Sequence, residues 1–198
     1  MEVPDYRMIE PDMPLNNDTS HGQALRWTKW LGHLAGKPEL NFLEVGSYEG
    51  QSAIWFLRNL LTAHDSRILC VDTWRGGEDM PLEDDDRLLD VFRKNTEPWA
   101  SKLDIMQERS DVALPMLHAE TFDFAYIDGS HMARNVLSDS VMVWRLLKVG
   151  GICIWDDYLL ELEFSHVKQA LDAFLLCYWG CYECIAQEYQ VCLKKIKA

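Results

Sequence analysis

Between Phe42 and Trp155 the chain alternates five short apolar runs with stretches of helical period, and that rhythm leaves few folds open. The runs are Phe42–Val45, Arg67–Asp72, Ser101–Glu108, Phe122–Ile127 and Ile152–Trp155. Each is short and carries at least one β-branched or aromatic residue among its apolar ones, and so reads as a strand. Ser52–Leu61, Asp111–His118 and Ala133–Leu147 carry apolar residues at helical spacing between them. Strands alternating with helices make βαβ units and a mostly parallel sheet. Upstream, Gln23–Leu34 reads as a helix ended by Gly36-Lys-Pro38. Lys148–Gly151 reads as a turn into the fifth strand. A helix over Val167–Leu176 then precedes strand-like Tyr182–Ala186 and Gln190–Leu193, close enough for an antiparallel hairpin. The expected architecture is a three-layer αβα sandwich, five parallel units closed by a C-terminal antiparallel hairpin.

The chain has 198 residues, 48% of them hydrophobic, including eight Trp, seven Tyr and seven Phe. That is enough apolar area for one core without disulfides or a structural metal. Residues 1–198 are read as one domain, with 1–40 an N-terminal segment and helix. The formal net charge is −13. Phosphate backbones and anionic lipid are gripped through Lys and Arg, so nucleic acid and membrane surfaces are poor partners. A small neutral or cationic substrate fits better, and a homo-oligomer is compatible with the Trp-rich composition. No apolar run reaches the roughly 18–20 residues of a membrane span, and Met1–Asp18 has no apolar signal core, so a cytoplasmic setting is expected. There the six cysteines are expected as free thiols. Cys177, Cys181 and Cys184 have the spacing of an iron–sulfur motif, but only 14 residues follow Cys184, too few for the barrel that accompanies it.

The second strand is followed by an interruption of the rhythm, residues 73–99. It holds Arg75-Gly-Gly77, the acidic run Glu83–Asp86 and a helix over Arg87–Asn95. It is either a solvated acidic loop or a lid over a pocket, since ligands of α/β proteins bind at the strand ends where it lies.

Glu44-Val-Gly46-Ser-Tyr-Glu-Gly50 lies between the first strand and a helix starting near Ser52. Glycine permits a strained turn and close approach of a ligand, and the helix start offers free N–H groups to an anion. The glycines are four apart and do not form the dinucleotide fingerprint, so an amino-acid carboxylate suits the loop better than a pyrophosphate. Asp72 ends the second strand, where an acid accepts hydrogen bonds from ribose hydroxyls. Ser110 and Asp111 follow the third strand, where the adenine of a nucleoside would sit.

Asp128 and the pair Asp156-Asp157 end the fourth and fifth strands, which lie side by side in a parallel sheet. Three ionised carboxylates crowd together only around a cation, and hard oxygen ligands suit Mg²⁺ or another divalent ion. His131, three residues after Asp128, is placed to take a proton from a hydroxyl held there.

Together these segments resemble the metal-dependent class I methyltransferases, above all the small proteins related to macrocin-type sugar O-methyltransferases. The likeness runs from Phe42 to Tyr158. It is carried by Glu44–Gly50, Val71-Asp-Thr-Trp74, Ile127-Asp-Gly-Ser-His131 and Leu147–Gly151 leading into Asp156-Asp157-Tyr158. It implies a Rossmann-like, seven-stranded fold and S-adenosylmethionine as cofactor. The cofactor would rest on Glu44, Gly46, Ser47, Tyr48, Gly50, Ser52, Asp72, Thr73, Trp74, Ser110, Asp111 and Asp128. It further implies a divalent cation on Asp128, Asp156 and Asp157, with His131 as base beside Asp128. The acceptor is then a small hydroxylated molecule, a sugar or catechol-like compound; His in place of the Lys of catechol-type enzymes favours sugars. An NAD(P)-dependent oxidoreductase and a catalytically silent cofactor-binding module are the alternatives.

Overall fold

The computed structural model describes residues 22–77, 87–163 and 165–198. The N-terminal stretch up to residue 21 and the acidic run Glu83–Asp86 lie outside the described residues. Seven strands form one sheet: β1 Asn41–Val45, β2 Arg67–Asp72, β3 Leu103–Gln107, β4 Phe122–Ile127, β5 Leu147–Trp155, β6 Tyr182–Gln187 and β7 Val191–Lys195. Their spatial order is β3-β2-β1-β4-β5-β7-β6. β1 to β5 pair in parallel, and β7 runs antiparallel to both β5 and β6. This is the expected Rossmann-like sandwich with its terminal hairpin.

Among the described residues six α-helices cover the two faces: α1 Gln23–Leu31, α2 Gln51–Asn59, α3 Arg87–Thr96, α4 Ser110–Ala113, α5 Ala133–Leu146 and α6 Val167–Cys177. The period of two along the strands assigns residues to faces. Phe42, Cys70, Phe124, Tyr126 and Ile154 pack with Trp27 of α1 and Phe56 of α2. Leu43, Val71, Ala125, Cys153 and Trp155 pack with Trp144 of α5 and Phe174 of α6. The large aromatic share of the sequence therefore fills both cores, with Trp27 edge-on to Trp55 at 5.1 Å and Trp144 edge-on to Phe174 at 5.6 Å.

Two local readings change. Lys148–Gly151 is not a turn but part of β5, which begins at Leu147 and shifts register against β4 between Phe122 and Phe124. Gly150, at φ +91°, takes up that irregularity. The helix expected over Asp111–His118 is only α4 and a 3₁₀ turn at Leu114–Met116, because Pro115 offers no N–H to continue it.

The chain leaves β1 toward β2 and β3 on one side, then returns to place β4 and β5 on the other. A crevice opens outside the strand ends where the order reverses, and open α/β sheets bind ligands there. Among the described residues no helix is long and apolar enough to cross a membrane.

Candidate active site

A cavity of about 1060 Å³ occupies that crevice. Its walls come from the exits of β1, β2, β3, β4 and β5 and from Gln23 and Trp27 of α1. It is large enough for a nucleoside-bearing cofactor together with a small second molecule.

The loop between β1 and α2 is held from several directions. Gly46 lies at φ +86°, and a Cβ there would sit 2.1 Å from the backbone oxygen of Asp128. Glycine is thus demanded by the close passage of the β4 exit, which ties the loop to the acidic end of the site. Asp72 accepts hydrogen bonds at Oδ2 from the backbone N–H groups of Ser47 (2.7 Å) and Tyr48 (2.9 Å), and at Oδ1 from Trp74 (2.8 Å). Its carboxylate orients the loop and retains acceptor capacity for hydroxyl groups in the cavity. Tyr48 itself adopts φ +45°, a strained backbone for a bulky residue.

Part of the 73–99 interruption braces this loop from behind. Trp74 donates its indole N–H to the Tyr48 carbonyl at 3.0 Å and stacks obliquely on Phe92 of α3. Asn95 donates to the Glu49 carbonyl at 2.9 Å. Gly50 faces Phe92 and Thr96 so closely that a Cβ would meet both at 3.1 Å. Thr73 and Leu88 also line the cavity.

Beneath the loop, Glu44 is fully buried. Its Oε2 accepts from the Ser47 hydroxyl at 2.6 Å and from the Cys70 thiol at 3.4 Å, while Oε1 has no hydrogen-bond partner. Burial pushes the carboxyl up to about 7, against the pull of the Ser47 and Ser52 hydroxyls. A buried acceptor left open costs about 1–3 kcal/mol until a donor arrives.

At the other end of the crevice, Asp128, His131 and Asp157 bring one ligand atom each within 4.8 Å of one another. His131 Nε2 lies 2.9 Å from Asp157 Oδ2, and the Tyr189 hydroxyl donates to Asp157 Oδ1 at 2.7 Å. Asp157 sits in the left-handed region at φ +59°, a strain that its side-chain anchors maintain. Asp156 is occupied differently. The Tyr126 hydroxyl donates to its Oδ2 at 2.5 Å, Gln23 also donates to that oxygen, and its Oδ1 accepts from the Asp157 N–H at 2.8 Å. The Tyr126 oxygen lies 3.3 Å from Asp128 Oδ2 as well, so one phenol links two of the acids.

The electrostatics follow from this crowding. Asp128 opens onto the cavity but is ringed by protein; desolvation, then the charges of Asp156 and Asp157, hold its carboxyl well above the usual range. Asp156 is raised by burial and by Asp157. Like charges this close favour shared protons or a cation.

Of the residues expected from the sequence, Glu44, Gly50 and Trp74 do not line the cavity and instead support the loop, whereas Gly46, Ser47, Tyr48, Ser52, Asp72 and Thr73 line its middle. Ser110 and Asp111 line its far end, where Arg109 pairs with Asp111 at 2.8 Å and lowers that carboxyl. Asp128, His131 and Asp157 converge at the near end, while Asp156 is tied to Tyr126 and Gln23. Gln23, Tyr189 and Asp139 of α5, which also lines the cavity, carried no signal as site residues. Gln23 lies 133 positions before its partner Asp156, and a lone Gln on an amphipathic helix is unremarkable. Tyr126 could have been suspected, because the alternation of β4 places it on the same side as Asp128.

Fold and site together define a methyltransferase-type α/β domain. Residues 43–158 match the family model described as a methyltransferase domain, and the chain belongs to that family. Membership removes the oxidoreductase alternative. No curated protein matches the chain. Among solved structures it is similar to the O-methyltransferase NovP (20% identity, TM-score 0.63, 88% of this chain and 77% of that one). It is also similar to cofactor-bound Rv0187 from MTB (15% identity, TM-score 0.66, covering 95% and 85%). A candidate O-methyltransferase from Klebsiella pneumoniae is a third (17% identity, TM-score 0.65, covering 95% and 85%). At these identities the likeness speaks for the fold.

Proposed function

We propose that the chain is an S-adenosylmethionine-dependent, divalent-cation-assisted O-methyltransferase for a small hydroxylated acceptor, a sugar or catechol-like compound. The observation that carries the reading is one cavity with a hydrogen-bonded glycine loop and Asp72 at its centre and the Asp128–His131–Asp157 cluster at its end. The backbone-anchored Asp72, which lines the cavity, suits a ligand with ribose hydroxyls, and Glu44 supports the loop from beneath through the Ser47 hydroxyl. The cluster has the oxygen-rich chemistry of a Mg²⁺ site, with Asp128 and Asp157 as the carboxylates that would hold the ion and Asp156 joining them on release from Gln23.

When bound, S-adenosylmethionine supplies an activated sulfonium methyl, and a divalent cation makes a nearby hydroxyl more acidic. The chain's own residues do the rest. Asp72 and the loop fix the cofactor's position, and Gln23 and Trp27 of α1 close the cavity beside the acids. His131, held at Nε2 by Asp157, is within reach of a hydroxyl placed there and receives its proton. Positioning supplies much of the rate because the methyl donor needs no further activation. The formal charge of −13 favours a small acceptor over nucleic acid. NovP, an O-methyltransferase of similar fold, supports oxygen as the methylated atom.

Isothermal titration of S-adenosylmethionine, with Mg²⁺ and then with chelator, tests the reading. Micromolar binding with methyl transfer to sugar or catechol acceptors only in Mg²⁺ supports it. Binding without transfer to any hydroxylated acceptor leaves a silent cofactor-binding module, and no binding under either condition ends the proposal.

A further inference from the structure

Asp156 is the acid that the cluster leaves out: the ligand atoms that gather are those of Asp128, His131 and Asp157. It is nonetheless turned toward them. The Tyr126 hydroxyl lies 2.5 Å from Asp156 Oδ2 and 3.3 Å from Asp128 Oδ2, so Oδ2 is the Asp156 oxygen on the cluster's side. Gln23 donates its amide to that same oxygen. Together with Tyr126 it fills the two acceptor positions of Oδ2. Among the described residues no Lys, Arg or His pairs with Asp156, which is 6% exposed. Its donors are the neutral Gln23 amide, the Tyr126 phenol and the Asp157 N–H. A buried carboxylate held only by neutral donors gains more from a cation.

The donors differ in how firmly they are held. Tyr126 is buried in β4, and the Asp157 N–H belongs to the backbone. Gln23 is a long side chain at the first residue of α1, and it lines the cavity, which gives it room to turn away. The helix stays where it is, because Trp27 donates its indole N–H to Gln190 at 3.0 Å and packs edge-on to Trp55 and Tyr126. We propose that Gln23 is a positioning residue that competes with the cation for Asp156. Its amide holds the acid in the cation-free protein, cation binding expels it, and the strength of that one hydrogen bond sets how tightly the ion is held. This inference deepens the cation reading above and rests on it.

The test is Mn²⁺ titration of wild type, Gln23→Ala, Asp156→Asn and the double variant, joined to the side-chain amide resonances of isotope-labelled protein under Mg²⁺. Gln23→Ala is expected to bind Mn²⁺ about tenfold more tightly, the scale of one hydrogen bond to a charged group. Asp156→Asn should bind it more weakly, and Gln23→Ala added to it should restore nothing, since the competition needs the carboxylate. In wild type, Mg²⁺ should shift the Gln23 amide pair, identified by its absence from Gln23→Ala. A gain that persists in the Asp156→Asn background means that Gln23 only crowds the ion, and overturns the inference. An unchanged or lower Mn²⁺ affinity in Gln23→Ala overturns it too. So does an amide pair that Mg²⁺ leaves in place, which needs no variant of Asp156 to fold. Each of these leaves the cation reading standing. Failure of wild type and Gln23→Ala alike to bind Mn²⁺ removes the cation reading, and the inference with it.

Discussion

His131 is held at one ring nitrogen by Asp157, whose other oxygen is held by Tyr189. The relay fixes where the imidazole points, and it separates two roles for the residue. As a base, His131 contributes about 10²–10⁴-fold to rate and little to cation binding. His131→Ala should therefore lower kcat/KM by that range, flatten the acidic limb of the pH–rate profile and leave Mn²⁺ affinity within about threefold. A collapse of Mn²⁺ affinity in the titration would make His131 a ligand instead. Asp128→Ala should abolish Mg²⁺-dependent transfer while S-adenosylmethionine affinity changes by no more than about tenfold, the scale of one hydrogen bond. Equal loss of both would place Asp128 in the cofactor site rather than the cation site.

The glycine loop is shaped by elements on either side of it. β4 passes so near Gly46 that a methyl group collides with backbone, which cannot swing aside as a side chain can. Gly46→Ala should destabilise the protein by about 2–4 kcal/mol, combining overpacking with a positive φ, measured by urea unfolding. Because the clash is with Asp128, cofactor and cation affinity should fall together. α3 supports the same loop through Asn95 and Phe92, so Asn95→Ala should cost about 1 kcal/mol of stability and weaken S-adenosylmethionine binding several-fold. No loss of affinity would show that the loop keeps its shape without this brace.

For the molecule as a whole, the buried acids set a pH dependence. Glu44 is raised from 4.5 to about 7 and Asp139 from 3.8 to about 6, both mainly by burial. The folded state therefore holds protons that the unfolded chain has released across this window, and stability falls as pH rises. The contribution is complete below about pH 4 and lost by about pH 7, at most about 3 kcal/mol for Glu44. The ligand-free protein should withstand more urea at pH 5 than at pH 8, and Glu44→Gln should remove much of that difference. An unchanged midpoint across this range would mean that Glu44 is not buried in its neutral form.

The strands, the loop and the acidic strand ends were legible because each is a local pattern. Period-two apolar runs specify two buried faces, glycines mark positive φ, and an acid directly after a strand lies at the sheet edge whatever the strand order. Asp128, Asp156 and Asp157 were placed on that ground, and His131 by its spacing of three residues from Asp128. Which of them meet was not local. The crossing from β3 back to β4 opens the crevice, the hairpin brings Tyr189 to Asp157, and α1 brings Gln23 to Asp156. Hydrogen bonds from those distant donors compete for the carboxylates, and that competition joins Asp157 to His131 while holding Asp156 on Tyr126. The bulge of β5 and the turn of Asp139 into the cavity were likewise set by packing, since neither Gly150 nor one Asp on a helix announces its neighbours. The chain by itself determined the fold and the residue types at the sheet edge. Only the tertiary structure decided their partners, because a side chain's bonds depend on what the fold carries to it.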